Sequence, residues 1–93
     1  MNQERRREIS RAMTLVAEAK DKLEEAKGMF EVAQGGEQEY HDNMPEGIQM
    51  GEKGDNAQEA ADALQECVDA CDNLITMSDW DDIESRASDA SGT

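Results

Sequence analysis

A chain of 93 residues forms one domain at most, and one this short buries only a modest core. Its 23 acidic and 9 basic residues give a net charge of −14, which argues against direct binding to nucleic acid or an anionic membrane and favours basic protein surfaces. With 37% hydrophobic residues and 3% aromatics the composition falls between long-helix proteins and disordered ones, so periodicity must decide, and it decides for helix.

The first predicted element is a helix over about residues 3–34. Ile9, Val16, Leu23 and Phe30 fall seven apart, and Ala12, Ala19, Ala26 and Ala33 follow each of them by three. That is an a/d seam of about four heptads, with one position always large and the other always Ala. Met13 and Leu15 add apolar flanks. Glu18 to Lys22 is an (i, i+4) pair in the favourable order. Gly28 costs about 1 kcal/mol relative to Ala, and Gly35-Gly36 is the first strong breaker, where the helix ends or frays onward to Tyr40, which extends the Ala series by one heptad. Through Ala33 the chain holds seven acids and seven bases; the other 16 acids face only Lys53 and Arg86, so the second part carries the whole net charge.

Residues 35–54 read as a connector. Pro45 pushes Met44 out of the α region, and the glycines at 47, 51 and 54 argue against regular helix. Met44, Ile48 and Met50 pack the connector down as a compact loop. A second helix follows over about 55–77, capped by Asp55 with Gln58 or Asn56 with Glu59. Ala57, Ala60/Ala61, Leu64, Cys67/Val68, Cys71 and Leu74/Ile75 give it a continuous apolar stripe, with Ala61, Val68 and Ile75 as extra apolar flanks. At ~1.5 Å per residue each helix spans roughly 35–45 Å, long enough to pair over the whole length. Residues 79–93 form an acidic tail in which Ser78 can cap a short third helix with Trp80, Ile83 and Ala87 on one face; the last six residues read as disordered.

The segment Glu39-Tyr40-His41-Asp42-Asn43-Met44-Pro45-Glu46-Gly47-Ile48-Gln49 resembles an element shared by small acidic phage and prophage helical-hairpin proteins, Tyr-x-Asn-x-Pro-Glu-x-Leu/Ile-Gln between a charged first helix and an Ala/Glu-rich second one. The match in layout runs from about Glu4 to Ile75, and Asn-Met-Pro-Glu-x-Ile-Gln is its specific part. Glycines 35, 36 and 47 depart from the pattern. The resemblance implies a phage-type accessory protein with a helical hairpin and carries no activity with it.

Chemistry is sparse. The single His and the absence of a Ser-His-acid or Cys-His arrangement leave no catalytic set, so the chain is expected not to be an enzyme and to need no cofactor. Cys67 and Cys71 lie (i, i+4) on the apolar stripe and read as small core thiols, since His41 is remote and a metal needs more ligands. Without an apolar run of membrane-spanning length or a signal peptide, both thiols are expected to be reduced in the cytoplasm of a bacterial host. Arg5, Arg6, Arg7 and Arg11 are expected to pair with acids of the second helix or of another chain.

Three candidate surfaces remain. Asp55, Glu59, Asp62, Glu66, Asp69 and Asp72 recur every three or four residues, giving a carboxylate row that is either a solvated face or a partner site. Trp80 between Asp79, Asp81, Asp82 and Glu84 is a docking peptide or a helix end covering the core. Tyr40, Asn43, Met44, Pro45, Ile48 and Gln49 form a recognition patch or staple the hairpin shut.

The sequence therefore predicts an all-α antiparallel helical hairpin that self-associates into a four-helix bundle, as a homodimer. Its seam is Ile9, Ala12, Val16, Ala19, Leu23, Ala26, Phe30, Leu64, Cys71 and Leu74. The expected role is to bind and modulate a host or phage protein bearing a basic surface. The alternatives are a DNA mimic and a structural or assembly bundle.

Overall fold

A computed structural model of the chain describes residues 2–92. It is all-α among those residues: α1 (Gln3–Asp42), a single turn α2 (Glu46–Gln49), α3 (Glu52–Thr76) and α4 (Asp79–Ser91). α3 packs antiparallel along α1, and α4 continues beyond it against the N-terminal half of α1. The product is a rod with extents of 70 × 17 × 14 Å. The expected hairpin is present.

α1 opens on Asn2, whose side-chain oxygen accepts from the Arg5 backbone N–H at 2.8 Å. This satisfies one of the orphan donors of the first turn. The helix does not stop at residue 34. It runs through Gly35-Gly36 to Asp42, and no glycine in the described chain has positive φ. Two helical glycines cost about 2 kcal/mol together relative to Ala. Packing offsets this: Gln34, Glu37, Gln38 and His41 all keep the inward period, and Gln38 hydrogen-bonds Gln58 of α3.

The connector is shorter and more helical than expected. Pro45 caps α2 and its carbonyl receives the backbone N–H of Ile48 and of Gln49. α3 then starts at Glu52, not at 55, with Gly51 as N-cap and no side-chain cap, so Asp55 and Asn56 do not cap it. The cause is Gly54. A β-carbon there would collide with the Gln49 backbone, 2.6 Å from its Cα, so the missing side chain lets the α2 turn sit on the first turn of α3.

The inward face of α1 differs from the predicted seam. Ile9, Val16, Leu23 and Phe30 point inward, but the second inward row is Met13, Lys20, Lys27 and Gln34; Ala12, Ala19 and Ala33 are exposed and Ala26 is half-buried. On α3 the buried residues are Gly54, Ala57, Ala61, Val68 and Cys71, with Leu64 half-buried and Leu74 46% exposed. The reason is volume. α3 supplies the small residues, so α1 turns its larger side chains to meet them; Ala against Ala would leave a void. Ala12, Ala19 and Leu74 therefore lie outside the seam that the chain makes with itself.

Beyond Thr76, the extended backbone of Met77 breaks the helix. Ser78 occupies the N-cap of α4 without a side-chain hydrogen bond, so the expected hydroxyl cap is absent; its carbonyl receives the Asp82 N–H. Ser88 to Ser91, expected to be disordered, belong to α4, where half-buried Trp80, Ala87 and Ala90 form a row toward the inside. Thr93 of the expected tail lies outside the described residues.

Candidate interaction surface

The carboxylate row is built by α3. Asp55, Glu59, Asp62, Glu66 and Asp69 are all exposed, and α-helical rise sets them roughly 5 Å apart along the axis. Gln58 and Gln65, lying just inside the row, donate to Asp62 at 2.9 Å and to Asp69 at 3.1 Å, which orients those two carboxylates. Asp72 does not belong to the free row. It accepts from Lys27 Nζ at 2.9 Å and ties α3 to α1.

That hydrogen bond is the main reason the Lys27 pKa is raised above its ordinary value near 10.5, with burial opposing it and the Asp72 charge adding to it. A lysine pKa raised on folding contributes stability that is complete below the unfolded value and is lost as pH climbs through the folded one. The melting temperature should therefore fall as pH rises beyond about 10.5, and fall less in a Lys27→Gln variant. A pH-independent difference between the two proteins would contradict the linkage.

Trp80 is not a free anchor. It is half-buried, and its indole N–H donates to the Leu74 carbonyl, closing the end of α3 that lacks a continuing helix. Asp81 and Asp82 beside it are exposed. Trp80, Asp81, Ile83 and Glu84 line one wall of an open cleft of about 430 Å³, and Ser10, Met13, Val16 and Ala17 of α1 line the other.

At the bend, the connector residues divide. Met44 and Gln49 face inward, and Gln49 Nε2 donates at 3.0 Å to the His41 carbonyl, which also receives the Met44 backbone N–H at 3.2 Å. Asn43 serves through its backbone N–H, which bonds the Glu39 carbonyl. Tyr40 is half exposed with the Lys53 ammonium 5.9 Å from its ring centroid, and Ile48 and Pro45 face solvent. His41 Nδ1 donates to Asp42, which holds that carboxyl below its ordinary value of 3.8, with Gln38 adding a second hydrogen bond. The staple is thus made by Met44 and Gln49, and the outward remainder is Tyr40, Pro45 and Ile48.

Cys71 is buried and Cys67 half-buried, both as free thiols in the α3 stripe. Among the described residues no three His, Cys, Asp or Glu side chains converge to hold a metal, and no helix is long and apolar enough to cross a membrane. Arg5, Arg6, Arg7 and Arg11 are exposed, and among the described residues none of them makes an ion pair within the chain. The expected pairing with acids of the second helix is absent. The sequence offered no signal that Lys27 would reach Asp72, because the heptad reading placed Lys27 outside the seam. Comparison with known proteins finds no family model, no curated protein and no solved structure that matches the chain.

Proposed function

We propose that this chain is a non-enzymatic, phage-type accessory protein that works by binding. As a self-associated helical bundle it presents the acidic side of α3, with Asp81 and Asp82 of α4, to a basic surface on a host or phage protein. The observation that carries this reading is the row Asp55, Glu59, Asp62, Glu66 and Asp69, five exposed carboxylates along a straight helix with two of them oriented by glutamines. α3 and α4 together hold twelve acids against Lys53 and Arg86, so the field on this side attracts cations over a long stretch.

Neutralising the five row residues to Asn or Gln should leave the helical circular dichroism unchanged and weaken capture of the partner from host lysate roughly 10- to 100-fold, from several pairs at 0.2–1 kcal/mol each. Capture that is equally strong with the neutralised protein, or insensitive to salt, would end the reading. The second reading, a DNA mimic, draws on the regularity of the row over about 21 Å of α3, a spacing close to that of phosphates on a strand. It requires that duplex DNA compete with the chain for its partner.

A further inference from the structure

The structure leaves one broad face of the hairpin without a neighbour. The polar links Lys27–Asp72 and Gln38–Gln58 lie along one edge of the α1–α3 seam. Helical geometry then assigns the opposite edge. On α1 it carries the rows that include Leu15, Ala26 and Met29, about 100° around from the seam; on the antiparallel α3 it carries Ala63, Ala70 and Leu74. These six residues are apolar, and Leu15, Met29 and Leu74 are 54%, 69% and 46% exposed. The carboxylate row lies on the back of α3, off this face.

The chain alone is also an unfinished globule. Its radius of gyration is 20.8 Å, where a compact domain of this length has about 12 Å. It exposes 6821 Å² of surface, where a monomer of its mass exposes about 5,400 Å². The excess of roughly 1,400 Å² exceeds the ~800 Å² that each partner hides in a standard interface. α1, 40 residues long, has no buried residue at all.

We infer that the occupant of this face is a second copy of the chain, stacked with its α1 antiparallel to the first α1. This rests on the self-association proposed above and names its surface and direction. Two observations select the direction. The first is charge: residues 3–20 of α1 carry five bases and three acids, and residues 21–42 two bases and seven acids, so antiparallel stacking sets the positive half over the negative one. The second is shape. A register centred near residue 24, close to the middle of α1, layers Ala19 against Met29 of the second copy, Ala33 against its Leu15 and Ala26 against the stem of its Lys22. Large meets small at each of these layers. The same register brings Arg11, which makes no ion pair among the described residues, beside Glu39 of the second copy, twice per dimer. An angle of about 100° between the seam and this face is close to the right angle between the two neighbours of a helix in a four-helix bundle.

The test is sedimentation of the full chain at micromolar concentration, with circular dichroism on every variant. The wild type should be a dimer. Met29→Glu, at a position that the hairpin does not use for its own seam, should weaken dimerisation more than tenfold. Arg11→Glu and Glu39→Arg should each weaken it roughly three- to tenfold, and the double variant should recover to within about twofold of wild type. Within one chain residues 11 and 39 are about 42 Å apart along α1, so recovery can only report a contact between copies. A monomeric wild type overturns self-association and this interface together. A dimer that tolerates Met29→Glu, or one in which the charge swap restores nothing, overturns this interface alone.

Discussion

Replacing Gly54 by Ala should lower the melting temperature by roughly 10–20 °C, the largest effect expected from any single methyl added to this chain. The added carbon meets the Gln49 carbonyl group and Cα, which belong to the backbone. A side chain in the way can change rotamer, whereas a backbone in the way must move the α2 turn as a body. Overpacking of that kind costs about 2–3 kcal/mol. It also pulls the Gln49 side chain from the His41 carbonyl, which then keeps only the Met44 N–H. Thermal unfolding followed at a helical wavelength measures the shift. A melting temperature within about 3 °C of wild type would show that the bend is not held by this close approach.

Gly35→Ala with Gly36→Ala should raise stability by about 1–2 kcal/mol in sum, or roughly 4–8 °C in melting temperature for each kcal/mol. Both glycines are helical with ordinary negative φ, and a β-carbon at either meets nothing within 4 Å. Alanine therefore adds no clash, and it removes conformational freedom from the unfolded chain. The experiment also tests the continuity of α1. If the helix ended at residue 34, alanine at these positions would give no gain or would destabilise a turn that needs glycine.

The contrast between these two sites shows how much could be read without a structure. Gly28, Gly35, Gly36 and Gly54 look alike in the sequence. Three of them sit in open space along α1 and one sits under another backbone, and only the path of residues 43–51 separates the cases. For the same reason α3 could not be given its true start: Asp55 and Asn56 are good caps by type, but the chain had already turned helical at Glu52 to seat α2.

The acidic row was more legible. Its period along α3 predicted exposure correctly for Asp55, Glu59, Asp62, Glu66 and Asp69, because charged residues opposite an apolar stripe stay in water. Asp72 obeyed the same period and still turned to Lys27, a choice made by the lysine that lies across from it. Trp80 likewise has an anchor's composition around it, yet the carbonyl left free at the end of α3 holds its indole.

By itself the sequence determined that the described chain would be helical, that it would double back somewhere within residues 35–54, and that its second part would carry the negative charge. Those properties follow from local propensity, period and composition. The tertiary structure decided which of two equivalent rows beside Ile9, Val16, Leu23 and Phe30 would face inward. A residue three positions on and a residue four positions on flank a helical row equally well. Only the small residues of α3 opposite them, and the reach of Lys27 to Asp72, break that tie and leave Ala12, Ala19 and Ala33 outside.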